Sequence, residues 1–380
     1  MRIAKEVVAT VLAVAALAGC GGGGDSDLSP GVGAAPPPLS IVVVGDSIAA
    51  GEGINYGYYY EKGYLFNGWA GGTPDPVWQG NYQLCHDSAL AYGDVLASTI
   101  GATLAKFACT GSTYQNGIAF DRMYGGQLYR PAQFGNWLAQ TNLNAAYDAA
   151  KPDVVIVTFG ADDVSFADIV TFCATGYTSA AEVASVVAHP ERSRRIRENF
   201  VKRFPTREAW QARPPRASSS SYCTSANPGD AIQNLFWDPV TSGQIAGNYR
   251  NLVAAIKARG EKAGKVPKIV FTTYHQPLPL PGQSIDCADL GDLTRDEIDY
   301  LVALEQTLQK TLVDAVGNLD GVAIADISGV VAGHQFCSDD PWTYGLSVYL
   351  IEGMKDSLAP FHPTPQGQAA IAAVVRKSLP

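Results

Sequence analysis

The chain has 380 residues, 47% of them hydrophobic, enough to bury a large core in one or two domains. Its 36 acidic and 27 basic residues give a formal net charge of −9. That balance argues against nucleic-acid binding, which needs a basic face.

Residues 1–19 read as an export signal. Arg2 and Lys5 form a positive end, and the apolar stretch from Val7 to Ala18 is too short to span a bilayer. The signal ends in Leu17-Ala18-Gly19-Cys20, which resembles a bacterial lipoprotein signal. Such chains are cleaved before the cysteine, whose thiol then carries diacylglycerol, and more than one acyl chain suffices for stable anchoring. Residues 20–40, rich in Gly, Pro and Ala, read as a tether after the acylated Cys20. The expectation is a protein exported and lipid-anchored to a bacterial membrane, with its folded domain over 41–380.

That domain opens with Ile41 to Val44, a β-branched run that reads as a buried strand over 41–45. Gly45-Asp46-Ser47 follows, so a serine stands at the strand's carboxyl end, where open α/β sheets place ligands. Residues 54–84 form a first insertion, with Tyr56, Tyr58, Tyr59, Tyr60, Trp69 and Trp78 among many glycines. Aromatics in this setting suit an acyl groove, a sugar platform or plain loop packing. A helix over 87–99 and a strand over 102–107 lead into Cys109-Thr110-Gly111-Ser112. A helix is expected over 131–149. The strand 153–159 then runs into Gly160-Ala161-Asp162-Asp163. Residues 174–236 form a second insertion, with a basic run from Arg192 to Arg207 that suits a solvated face.

Beyond it come a helix over 242–263, a strand over 268–274, a helix over 294–316 and a strand over 321–326. Thr294 suits the N-cap of the third, whose Leu301, Leu304, Leu308 and Leu312 recur at helical spacing. The last helix, 365–378, has Thr364 as N-cap and Pro365 at its first position, which leaves His362 on the preceding loop. Five strands alternating with helices predict an α/β fold, a three-layer α/β/α sandwich around a parallel sheet.

Six cysteines remain after Cys20: Cys85, Cys109, Cys173, Cys223, Cys287 and Cys337. An even number in an exported chain argues for disulfides without fixing their pairing. No CxxC, His-Cys cluster or HExxH points to a metal, and no cofactor is expected.

Serine needs a base within hydrogen-bond reach to act as a nucleophile. Of the five histidines, His86 and His334 stand near cysteines and suit structural roles, and His275 ends the fourth strand where it borders a cleft. His362 is followed by Pro363-Thr364-Pro365.

The four blocks Gly45-Asp46-Ser47, Cys109-Thr110-Gly111-Ser112, Gly160-Ala161-Asp162-Asp163 and His362-Pro363-Thr364 resemble those of the GDSL hydrolases, also called SGNH hydrolases. The resemblance covers most of 41–380. It implies a five-stranded, flavodoxin-like sandwich and a serine ester hydrolase of the carboxylesterase or lipase type, working through an acyl-enzyme. Ser47 would be the nucleophile and His362 the base. The N–H groups of Ser47 and Gly111, with the side chain at 162, would form the oxyanion hole. It also implies the disulfides Cys85–Cys109, Cys173–Cys223 and Cys287–Cys337.

Two positions depart from the family. The family has asparagine where this chain has Asp162, and an ionised Asp162 can only accept hydrogen bonds. It must be protonated, point away, or reduce activity, and Asp163 beside it is a structural acid for the turn. The family usually carries an aspartate three residues before the histidine, where this chain has Ala359. Either the Ala359 carbonyl orients His362, making a dyad, or Asp356 does, making a triad. The expected partners are an ester substrate, lipid or acylated glycan, and the membrane that holds the anchor. No nucleic acid is expected, and the protein should be a monomer. The rival expectation is a catalytically impaired, membrane-tethered lipid- or glycan-binding protein descended from an esterase.

Overall fold

β-branched runs that are apolar on both sides become strands buried on both faces, and such strands suit a parallel sheet covered by helices. In the computed structural model this gives a sheet of five parallel strands: β1 (Ser40–Gly45), β2 (Thr103–Lys106), β5 (Val154–Thr158), β6 (Lys268–Thr272) and β7 (Val322–Ala325). Their order is β2-β1-β5-β6-β7, with Val42 level with Val155 and Val155 level with Ile269. In β1 and β5 every residue from Ile41 to Gly45 and from Val154 to Thr158 is buried. The structure describes residues 37–54, 88–118, 122–124, 127–130, 150–174, 231–347 and 359–380, with a few single positions between 202 and 223. Those from Pro38 onward belong to one compact unit.

Among the described residues the helices are α1 (Ser47–Ala50), α2 (Tyr92–Ile100), α3 (Phe166–Ala174), α4 (Ala231–Thr241), α5 (Gln244–Ala263), α6 (Arg295–Val316) and α7 (Pro365–Arg376). α2 packs on α7 and α5 on α6, and the molecule is a three-layer α/β/α sandwich. Two caps follow the sequence reading. Thr294 and Glu297 form a capping box on α6, and the Thr364 side chain accepts from the Gly367 N–H with Pro365 in the first turn of α7.

Several expectations shift. The helix expected from 87 starts at Tyr92, because the Ser88 hydroxyl accepts from the Leu90 N–H (3.1 Å) and holds a turn there instead. α3 and α4 flank the second insertion and were not expected, nor was the antiparallel hairpin of β3 (Arg122–Tyr124) and β4 (Gln127–Arg130). The helix expected over 131–149 and most of both insertions lie outside the described residues, as do the export signal and Cys20. Among the described residues no helix is long and apolar enough to cross a membrane.

Two of the three expected disulfides are present, Cys173–Cys223 with Cα atoms 5.5 Å apart and Cys287–Cys337 at 5.3 Å. Cys109 is also disulfide-bonded, and its expected partner Cys85 lies outside the described residues.

Candidate active site

The strand order reverses between β1 and β5, the point where open α/β sheets bind ligands beyond their carboxyl ends. β1 ends there at Gly45, where an added Cβ would sit 2.2 Å from the Thr158 carbonyl oxygen, so only glycine fits. The Asp46 N–H donates to that same carbonyl at 3.0 Å and fixes the turn. Asp46 then caps α1, its carboxylate accepting from the Ile48 N–H at 3.0 Å. Ser47 is thereby the first residue of α1, its hydroxyl facing the crevice.

His362 reaches Ser47 from the far end of the chain, its Nε2 2.6 Å from Ser47 Oγ. The imidazole Nδ1 lies 3.0 Å from the Pro360 carbonyl oxygen. A carbonyl only accepts, so Nδ1 carries the proton and Nε2 is free to accept from the serine hydroxyl. The expectation of the Ala359 carbonyl in this role is corrected: it accepts instead from the His362 backbone N–H at 2.9 Å. Phe361 explains the difference, because its φ of 68° is left-handed for a bulky residue and turns the loop tightly before His362. The segment at Tyr344 holds that loop, with the Tyr344 N–H donating to the His362 carbonyl at 2.9 Å. Asp356 lies outside the described residues.

Gln368 of α7 joins the two halves of the pair. Its amide donates to the Ile48 carbonyl at 3.1 Å and accepts from the Tyr92 N–H at 2.8 Å, so α7 is fastened to α1 and α2. Sequence reasoning missed Gln368, which is fully buried on a helix otherwise read for its apolar face.

Asp162 stands in the turn after β5 and lines the same pocket as Ser47 and His362, a space of about 680 Å³ open to solvent. Asp163 points to the other side. Its two oxygens accept from the Tyr114 N–H at 3.0 and 3.1 Å, which is the structural role expected of it. Burial, with the Asp162 charge beside it, pushes Asp163 up to about 7. Gly111 follows β2 with φ 69°, and the Cys109 N–H two residues before it donates to the Gly45 carbonyl at 3.0 Å. It thus belongs to the same edge of the sheet, yet does not line the pocket.

The pocket also contains groups the sequence did not mark. Tyr274, just past β6, donates its hydroxyl to the Asp46 carboxylate and accepts from the Ala161 N–H at 3.0 Å. Burial and the neighbouring Asp162 hold the Asp46 carboxyl well above the usual range. His275 lines the pocket as expected, with burial and the nearby His362 pushing it down to about 3. Glu305 of α6 lines it too, raised well above the carboxylate range by burial. Among the described residues no group of three or more His, Cys, Asp or Glu side chains is placed to hold a metal ion.

Fold and site together define a hydrolase-type crevice with a serine–histidine pair at the sheet's switch point. The chain belongs to the GDSL-like lipase/acylhydrolase family, whose match spans residues 43–370, and it is a carboxylic ester hydrolase. No curated protein sequence matches it. Solved structures similar to it include an extracellular lipase from Streptomyces rimosus, 16% identical, covering 90% of this chain and 100% of that one, with a TM-score of 0.46. A carbohydrate acetylesterase from Sinorhizobium meliloti is 11% identical over 90% of this chain and 97% of its own, with a TM-score of 0.38. The aryl esterase of M. smegmatis is 13% identical over 90% and 100%, with a TM-score of 0.35.

Proposed function

We propose that the protein is a lipid-anchored serine esterase in which Ser47 is the nucleophile and His362 the base. The observation that carries this reading is the 2.6 Å approach of His362 Nε2 to Ser47 Oγ, with Nδ1 held by the Pro360 carbonyl. In the first step Ser47 Oγ bonds to the ester carbonyl carbon while its proton passes to His362 Nε2. The carbonyl oxygen becomes an oxyanion, stabilised by the Ser47 N–H, with the N–H of Gly111 at the neighbouring sheet edge as the second donor that the family resemblance implies. The tetrahedral species collapses, the C–O bond to the alcohol breaks, and the alcohol leaves with the proton from His362. Water then attacks the acyl-enzyme, giving its proton to His362, and the acid and the free serine are released. The Pro360 carbonyl, accepting from Nδ1, keeps the tautomer correct.

The ester is a lipid or an acylated glycan of the cell envelope, met at the membrane to which Cys20 tethers a monomeric domain. The test is a fluorophosphonate probe followed by peptide mapping, alongside Ser47→Ala. Labelling of Ser47 and loss of ester hydrolysis in a folded variant are expected. Labelling of a different serine, or turnover by the variant at the wild-type rate, rejects the assignment.

A further inference from the structure

One wall of the pocket is not used by the chemistry proposed above. It is largely apolar, formed by Phe166 and Val170 of α3, by Leu278 and by Leu308 of α6. Glu305, 2% exposed, and His275, 4% exposed, interrupt it. Glu305 Oε1 accepts from the Gln309 side chain at 2.9 Å, whereas Oε2 has no hydrogen-bond partner. Neither ring nitrogen of His275 has one; the Phe361 backbone lies near enough to influence the ring but not in hydrogen-bonding geometry.

A buried polar atom left without a partner is costly, and such atoms at a pocket wall mark a place where a ligand supplies the missing bond. The kind of ligand follows from the state of the two groups. Burial keeps the imidazole neutral, with one donor and one acceptor nitrogen, and keeps the carboxyl protonated, with one donor and a spare acceptor. An alkyl chain would leave both unsatisfied, and an ion would gain no opposite charge from either. A hydroxyl, which donates and accepts at once, matches both.

We propose that this pocket selects esters carrying a hydroxyl group, which hydrogen-bonds to Glu305 with His275 lining the same site. The proposal rests on the esterase reading and adds its substrate class. The hydroxyl belongs either to the acyl half, as in a hydroxyacyl ester, or to the alcohol half, as in a polyol or sugar ester.

Two matched pairs separate these sources: p-nitrophenyl 3-hydroxybutyrate against p-nitrophenyl butyrate, and glycerol monobutyrate against propyl butyrate. In one pair the hydroxylated member should have a kcat/KM about 10–100 times higher, since the analogue that lacks the group leaves the buried carboxyl without its partner. Glu305→Leu should bring that ratio close to one and raise the Tm, because it removes an unsatisfied buried carboxyl. Glu305→Gln, which keeps a neutral donor and acceptor, should preserve the ratio. Equal rates within both wild-type pairs overturn the proposal, as does a Glu305→Leu variant that keeps the preference or slows both members alike with a lower Tm. The same pairs titrated into Ser47→Ala by calorimetry decide the question independently of turnover. Tighter binding of a hydroxylated member supports the site even if no ester is cleaved, a result that would sink only the esterase reading; equal binding rejects the site.

Discussion

Asp162→Asn exchanges an acid for a donor at the position where this chain departs from the oxyanion hole that the family resemblance implies. Asp162 lines the pocket with Ser47 and His362, and its charge helps raise the neighbouring buried Asp46. An ionised carboxylate at this position offers the developing oxyanion a like charge and no N–H. The amide changes both terms in the same direction. One oxyanion donor is worth about 100- to 1000-fold in kcat, or about 3–4 kcal/mol. Because the variant's amide must find its angle in a turn built for a carboxylate, the lower end is expected: a rise of about 100-fold in kcat. KM should change little, since the interaction exists only in the transition state. The assay is initial-rate hydrolysis of a short-chain p-nitrophenyl ester at pH 7, with kcat and KM taken separately. A drop in kcat would refute the reasoning, because it would mean that Asp162 is protonated and already donates. A variant equal to the wild type in rate and pH profile would remove position 162 from the hole altogether.

Tyr274→Phe deletes the hydroxyl that joins Asp46 to the Ala161 N–H, leaving two buried polar groups unsatisfied. A loss of about 2–3 kcal/mol in denaturant unfolding is expected, together with a fall in kcat as the turn carrying Asp162 loosens; unchanged stability would refute the tie. Asp163 rises from 3.8 unfolded to about 7 folded, so its contribution is complete below about pH 4 and is lost as pH climbs through 7. Between pH 5 and 8 Asp163→Asn should therefore lose about 2–3 kcal/mol less stability than the wild type, and parallel pH curves would contradict this. Cys20→Ala removes the proposed acylation site and should move the protein from the membrane fraction to the soluble one; retention in the membrane counts against the proposed anchor.

The elements legible in the sequence were those whose environment is uniform along their length. Val154 to Val157 is buried on both faces, so its apolar run is unbroken and reads directly as a strand. Ser47, Asp162 and His362 were legible as polar residues placed just after such runs or just before a capped helix. Glu305 was not. It sits among Leu301, Leu304, Leu308 and Leu312, and only the packing of α6 against α5 and the pocket shows that it shares their buried side. Which carbonyl meets His362 was equally hidden. Ala359 and Pro360 are both loop residues in sequence, and the left-handed Phe361 decides between them. The helix start near 87 failed for a local reason, since the hydroxyl of Ser88 competes for a backbone N–H that a longer helix would use.

Asp46 shows how the site keeps its geometry although its parts come from distant stretches of chain. Its backbone N–H is bound to the Thr158 carbonyl at the end of β5, its side chain caps the helix that begins with Ser47, and its second oxygen takes the Tyr274 hydroxyl from beyond β6. Tyr274 in turn receives the Ala161 N–H, next to Asp162. The ends of three adjacent strands thus meet at one buried carboxyl, and a shift of any strand would have to break a bond inside the core, where water cannot replace it. That makes Asp46 a positioning residue for Ser47 and Asp162 together, placed by the same glycine turn that leaves room for the serine. The second pair of ties, from Gln368 to Ile48 and Tyr92, fixes α7, the helix that follows the His362 loop, to the Ser47 side by the same logic. Ser47 Oγ and His362 Nε2 are held at 2.6 Å because the residues around them, rather than the pair itself, carry the packing and hydrogen bonds that set the distance.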